Sequence, residues 1–227
     1  QLLKLRQTFP EEQVRFLADQ AKLRKLASSR FPLAPDMFFT TKGLQQTTDA
    51  AIAKYKAELV AQLAPQTNHV VDLCCGMGGD LQAMAHRFNV IGVDLDPLIC
   101  QVAKHNASIE SNRSVSTRNI AAENFGVDTD WIHIDPDRRS DGARHTSIQA
   151  FTPSLSTLDN LIRHVGKSIH GISIKLAPAT QVPEYWIDQC HLMWIQSRNE
   201  CRQQLAVFTP ETRDNHRRSA ISVQSDG

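Results

Sequence analysis

Long apolar runs are missing from this 227-residue chain: no run of about 18 apolar residues could cross a bilayer, and no basic, apolar and small-residue succession marks a secretion signal. A cytoplasmic location with no membrane partner is therefore expected. An excess of one charge is missing too. Lys and Arg number 25 against 24 Asp and Glu, a net charge of +1, so no global field draws a polyanion, although a local patch remains compatible. Cysteine is sparse. The five thiols, at 74, 75, 100, 190 and 201, show no paired metal spacing, so reduced cysteines are expected, with Cys74 and Cys75 as small turn residues. None of the nine histidines falls in a His-x-Glu or His-Glu-x-x-His pattern, which argues against a catalytic metal.

What is present suffices for a core, since 41% of the residues are apolar. The chain is organised around Val70 to Asp80, Val-Val-Asp-Leu-Cys-Cys-Gly-Met-Gly-Gly-Asp, followed by Leu81, Ala83, Met84 and Ala85 at helical spacing. This reads as strand, tight turn and helix. Glycines at 76, 78 and 79 let a ligand approach the backbone, and the free N–H groups of the following helix attract electron-rich atoms. A dinucleotide fingerprint starting at Gly76 would need a glycine where Leu81 stands, which weakens a pyrophosphate reading. Val90 to Asp94 is a second apolar run ending in an acid, 22 positions after Asp72. That is a βαβ distance, and it puts Asp94 beside the turn, where a carboxylate can accept both hydroxyls of a ribose.

Asp72, the Gly76 to Gly79 turn and Asp94, without a phosphate-binding lysine, resemble the first two motifs of class I S-adenosylmethionine-dependent methyltransferases, over roughly Met37 to Phe208. The resemblance implies an α/β Rossmann-like fold: a seven-stranded, mostly parallel sheet with an antiparallel edge strand. Residues 1–36 are then an N-terminal helical segment and 37–227 the methyltransferase domain. It also implies S-adenosyl-L-methionine as cofactor, with Asp72, Cys74, Gly76, Gly78, Asp94 and the adjacent Leu95 holding it. Phe39, Thr40 and Thr41 occupy the segment that lies over the methionine end in such proteins, Thr40 being the chosen contact, while Phe38 and Phe39 equally suit a core. On the third strand, Val115 to Asn119, family members carry an adenine-binding acid. Here Asn119 takes that place, its amide oxygen able to accept from the adenine amine and its NH2 able to donate to a ring nitrogen, with Ile120 and Ala121 beside the ring. Asn119 equally fits a turn.

The fourth strand, Trp131 to Ile134, runs into Asp135-Pro136-Asp137-Arg138-Arg139. In the methyltransferase fold this tip faces the transferable methyl, making Asp135, Pro136, Asp137 and Arg138 the candidate catalytic residues and Asp135 a cofactor neighbour as well. Amino-methylating nucleic-acid enzymes have Asp or Asn, two prolines and an aromatic here. Asp137 and Arg138 depart from that pattern. Asp-Pro-x-Arg-Arg with the upstream Phe-Thr-Thr resembles a bacterial group described as THUMP-like, whose members carry a small further RNA-binding-type domain. Asp-x-Cys-x-Gly-x-Gly-Gly and Thr-Thr-Asp-Ala-Ala-Ile-Ala also resemble the RNA cap guanine-N2 methyltransferase (trimethylguanosine synthase) group. Both resemblances imply RNA as partner and RNA methylation as function. Arg138 and Arg139 could clamp a phosphate or pair with Asp135, Asp137 or Asp141. Two other readings stay open: a catalytically silent RNA-binding module of the same fold, and a nicotinamide-dependent oxidoreductase.

Elsewhere, residues 1–30 read as a helix with a Thr8 to Glu11 capping box, and carry seven basic residues (Lys4, Arg6, Arg15, Lys22, Arg24, Lys25, Arg30) against three acids. This suits either a solvated face or an RNA phosphate contact. Phe31 to Asp36 reads as a linker and Thr47 to Leu63 as one helix with Ala51, Ile52, Tyr55, Leu59 and Val60 on its apolar side. The polar stretch Asp141 to Ser156 is expected to be a mobile loop over the site. Lys175, near the end of the fifth strand, reads as solvated or as a substrate contact. Residues 191–195 and 204–208 form the expected antiparallel pair, with one more possible strand at Ser219 to Val223.

Overall fold

A computed structural model describes residues 5–137, 147–213, 215 and 217–224. Eight strands, β1 (His69–Leu73), β2 (Asn89–Asp94), β3 (Val115–Asn119), β4 (Trp131–Ile134), β5 (Gly171–Leu176), β6 (His191–Ser197), β7 (Glu200–Phe208) and β8 (Arg217–Val223), form one sheet in the order β3-β2-β1-β4-β5-β7-β6-β8. β7 runs antiparallel to both its neighbours, and the other pairings are parallel. The helices are α1 (Glu11–Ala27), α2 (Thr41–Gln46), α3 (Ala50–Leu63), α4 (Gly79–Ala85), α5 (Pro97–Ser108), α6 (Leu155–Ile162) and α7 (Glu184–Ile187).

The central strands are apolar without alternation because both sheet faces are covered. Val71, Leu73, Ile132 and Ile134 pack with Leu158, Leu161 and Trp186 on one side. Val70, Trp131, Met193 and Val207 pack with Ile52, Val60, Leu81, Met84 and Ala103 on the other. Helix starts follow the local chemistry. Asp49 accepts from Ala51 N (3.1 Å) at α3, and Asp96 accepts from Leu98 N (2.8 Å) before a proline-led α5. Order reverses at β1, flanked by β2 and β4, and this is where an open α/β sheet leaves a crevice at the strand C-termini.

Several expectations change. The sheet has eight strands, because Arg217–Val223 pairs along the whole of β6, from His191 opposite Arg217 to Ser197 opposite Val223, which puts β6 inside the sheet and makes β8 its edge, while antiparallel β7 lies between β5 and β6. Thr8 is not a cap: α1 starts after Pro10 with no side-chain cap bond. The helix expected from Thr47 to Leu63 is α3, which starts only at Ala50 because Thr47 is extended (φ −66°, ψ 142°) and Asp49 caps it, and a separate short helix, α2, precedes it. Nor is Phe31 to Asp36 a free linker. Phe31 and Ala34 join Leu23, Ala27, Met37, Phe39 and Leu44 in a cluster that includes Met77 of the glycine turn. Of the expected loop from 141 to 156, residues 141–146 lie outside the described residues, while Ile148–Ala150 form a 3-10 turn.

Candidate functional site

The glycine turn leaves β1 through Cys74, Gly76 and Gly78, all at positive φ (61°, 51° and 80°). At Gly78 a Cβ would also stand 3.0 Å from the Ala103 backbone, so glycine is required there. Around Gly76 a Cβ would meet nothing within 4 Å, so that side of the turn is open. Asp94 at the tip of β2 fixes the turn: its Oδ2 accepts from Gly76 N (3.0 Å) and its Oδ1 from Asp96 N (3.1 Å). Asn119 donates through Nδ2 to the carbonyls of Asp94 (3.1 Å) and Leu95 (2.8 Å). Its NH2 is thereby committed to the backbone, correcting the expectation that it donates to a ring nitrogen; its amide oxygen keeps its accepting capacity. Leu95 is 67% exposed, and Ile120 packs half-buried on the core beside Cys74. Thr40 caps α2 by accepting from Gly43 N (2.9 Å) and reaches Met77 Sδ (3.8 Å), while Phe39 is core, its ring tilted against Phe31, and Thr41 is exposed. Burial first, with Asp135 and Asp94 adding, pushes the Cys74 thiol up, so it stays protonated and is no nucleophile at neutral pH.

Beneath the turn lies a polar layer that pattern reading did not single out. Lys56 of α3, 1% exposed, forms an ion pair with Asp80 Oδ1 (2.5 Å), and Thr48 Oγ1 donates to Asp80 Oδ2 (2.7 Å). His133 Nε2 lies 3.3 Å from Lys56 Nζ and 3.4 Å from Asp80 Oδ2, and its Nδ1 meets Ser173 Oγ (2.9 Å), which also accepts from Trp131 Nε1 (3.2 Å). Burial alone would raise the Asp80 carboxyl, but Lys56 and then His133 outweigh it and hold it well below the usual carboxylate range. Burial, with Lys56 close by, lowers His133, which is neutral at pH 7. Asp72, directly opposite His133 in the β1–β4 register, is 1% exposed, and neither of its oxygens has a hydrogen-bond partner among the described residues. Its own burial, then Asp80, pushes that carboxyl well above the usual range. The signal for Lys56 was available: it sits four residues from both Ile52 and Val60, which are buried on the same helix face.

At the tip of β4, Asp135 Oδ2 accepts from Lys175 Nζ (2.5 Å), the Lys175 side chain being only 12% exposed. Lys175 is thus neither solvated nor distant from the site. Pro136 is buried. Asp137 N donates to Thr152 O (2.8 Å) and Thr152 N to Asp137 O (2.9 Å), a bridge that a second proline, lacking N–H, could not complete. Arg138 and Arg139 lie outside the described residues, so their phosphate and ion-pair readings carry no geometry.

These groups fit a nucleoside sulfonium. The open turn at Gly76 and the Asp94 carboxylate suit a ribose, and the Asn119 oxygen with Leu95 and Ile120 suits an adenine. Among the described residues no group of His, Cys, Asp and Glu could hold a metal ion, and no helix is long and apolar enough to cross a membrane.

Comparison with known proteins agrees with this geometry. A family described as RNA cap guanine-N2 methyltransferase matches residues 67–121, the segment from β1 through the glycine turn to just past β3. Two curated Mycobacterium tuberculosis proteins, from strains CDC 1551 and H37Rv, both named uncharacterized S-adenosylmethionine-dependent methyltransferases, are 28% identical over 176 residues, covering 74% of this chain and 46% of theirs. The chain therefore spans about half the length of the curated relatives it matches. Among solved structures, a Porphyromonas gingivalis W83 protein provisionally described as a methyltransferase superposes with a TM-score of 0.70 at 19% identity, over 89% of this chain and 52% of that one. A Listeria monocytogenes protein provisionally described as a class I S-adenosylmethionine-dependent methyltransferase gives 0.57 at 13%, over 89% and 73%. The Pyrococcus abyssi tRNA (uracil-54, C5)-methyltransferase, in complex with S-adenosyl-L-homocysteine, gives 0.50 at 19%, over 77% and 41%. In fold the chain is an α/β Rossmann-like domain of the methyltransferase type, and its segment from β1 to just past β3 is similar to a methyltransferase family.

Proposed function

We propose that this domain transfers a methyl group from S-adenosyl-L-methionine to RNA. The carrying observation is that the glycine turn after β1, Asp94 at the tip of β2 and Asp135 at the tip of β4 share one rim of a class I sheet. The cofactor supplies an electrophilic methyl on a sulfonium. Thr40, Asp72, Cys74, Gly76, Gly78, Asp94, Leu95, Asn119 and Ile120 form its site, Asp72 through charge. Asp135, steadied by Lys175, accepts a hydrogen bond from the acceptor N–H or O–H, aims the acceptor lone pair along the line of displacement and receives the released proton. Pro136 and Asp137 complete the acceptor side, and Arg138, outside the described residues, is assigned to it from the sequence alone.

RNA as acceptor rests on the family match and on the surface of α1. There Phe16 stacks on Phe38 (6.3 Å between centroids), Arg24 lies 5.2 Å over the Phe38 ring, and Arg15, Lys22 and Lys25 are also on this helix. Aromatic faces with cationic neighbours suit single-stranded bases and phosphates. A cytoplasmic location belongs to the same reading. Calorimetric titration of S-adenosylmethionine and S-adenosylhomocysteine into the wild type and Asp94→Ala tests the cofactor half. Saturable binding, weakened at least about tenfold in the variant through loss of a charged hydrogen-bond acceptor, is expected. Label transfer from methyl-tritiated donor into total bacterial RNA tests the acceptor half. Cofactor binding with no label in RNA would move the assignment to another acceptor or to a silent module.

A further inference from the structure

Among the described residues, the carboxyls below the glycine turn outnumber the cations by one. Lys56 is matched by Asp80 at 2.5 Å, and Lys175 by Asp135 at 2.5 Å. The Thr48 hydroxyl donates to Asp80, and the Lys56 ammonium pairs with Asp80 and lies 3.3 Å from His133 Nε2. Asp72 is left over. It is enclosed between β2 and β4, opposite Gly92 and His133, with both oxygens lacking a hydrogen-bond partner among the described residues. Among the described residues, the charged groups that act most on it are Asp80 from α4, Lys56 from α3, and Asp135 and Lys175 from the ends of β4 and β5, two acids against two cations, with neutral His133 beside it. With Asp72 protonated these described groups sum to zero charge; with Asp72 ionised they sum to one negative charge in a medium that screens poorly.

Resting on the methyltransferase reading above, we infer that Asp72 is the residue that distinguishes the charged methyl donor from its product, and that it does so by exchanging a proton. With no cation in the site Asp72 holds the proton. Binding of the sulfonium, which adds one positive charge, releases that proton to solvent and leaves a carboxylate facing a cation. Methyl transfer breaks the carbon–sulfur bond, the bonding pair stays on sulfur and the positive charge disappears. Asp72 then takes a proton back, which offsets the one lost by the acceptor, and the neutral thioether leaves a site with no charge to hold it.

The test needs only the two nucleosides. Calorimetry of the intact protein with S-adenosylmethionine and with S-adenosylhomocysteine, in phosphate and in Tris at one pH, counts protons from the dependence on buffer ionisation enthalpy. The difference between ligands removes the contribution of the amino-acid group they share. Expected for the wild type is a proton release larger for S-adenosylmethionine by a substantial fraction of one proton, and a preference for it that grows as pH rises from 6 toward 8.5. In Asp72→Asn that difference vanishes and S-adenosylmethionine affinity falls at least tenfold while S-adenosylhomocysteine affinity holds. Equal proton counts for the two ligands in the wild type, or a difference that survives in Asp72→Asn, overturns the inference while leaving the methyltransferase reading intact. Failure of both ligands to bind overturns that reading and the inference with it. Difference infrared spectroscopy of the wild type follows the same proton without a variant: a protonated carboxyl band should be lost with S-adenosylmethionine and kept with S-adenosylhomocysteine, and a band unchanged by both ligands overturns the inference.

Discussion

At the scale of single residues the domain keeps two buried carboxyls in opposite states. Asp80 receives a lysine and a threonine donor and stays ionised; Asp72 receives none among the described residues. Removing the partner of the first exposes its cost. Lys56→Met should destabilise the domain by about 3–5 kcal/mol in urea unfolding, because it strands a buried charge, and adding Asp80→Asn should restore most of that loss. For Asp72 the sign is reversed. Its folded carboxyl titrates above its unfolded value, so its contribution to stability is fully present below about pH 4 and declines, by up to about 1.4 kcal/mol per pH unit, as pH rises toward the folded value. Asp72→Asn does not ionise, so its unfolding free energy relative to wild type should increase between pH 4 and neutral in the absence of cofactor. A constant difference across that range would contradict the buried, proton-holding state.

At the scale of elements, the turn between β1 and α4 and the tip of β4 are backbone devices, and backbone substitutions test them. Gly78→Ala forces a left-handed residue to carry a Cβ and drives it against Ala103 at 3.0 Å. A loss of about 1–3 kcal/mol in stability and a clear weakening of S-adenosylmethionine binding are expected, checked by thermal unfolding and calorimetry. Asp137→Pro removes the N–H that bridges to Thr152 O, so hydrogen exchange at the Thr152 amide should quicken, reflecting about 1 kcal/mol of lost pairing. These elements were also the most legible. Val70 to Ala85 announces strand, turn and helix through neighbours in sequence, and Asp94 follows at βαβ distance. α3 was legible only as a helix. Choosing Tyr55 and Leu59 for its apolar side rotates the helix by a fraction of a turn away from the observed Ile52, Lys56 and Val60 face, which hides Lys56 among the solvated lysines.

At the scale of the molecule, β8 extends the sheet beyond the expected seven strands and is largely exposed, touching the core through Ile221 and Val223. Deleting residues 215–227 should lower the melting temperature by about 2–8 °C, the equivalent of about 1–2 kcal/mol, and leave S-adenosylmethionine affinity unchanged, since β8 stands at the edge farthest from β1 and β2. Loss of binding with that deletion would show that the edge is coupled to the site.

By itself the sequence determined the strand–turn–helix around Gly76 to Gly79, the acid at the tip of β2, the parallel βα succession and the class of fold, because each depends on side-chain period and on residues close together in the chain. Only the tertiary structure decided that Asp135 is paired with Lys175 forty residues away, that His133 joins Lys56 seventy-seven residues away above an enclosed Asp72, and that Asn119 spends its NH2 on the backbone. Those outcomes turn on helix rotation, strand register and which polar groups burial leaves without water. Such quantities exist only once the layers have packed.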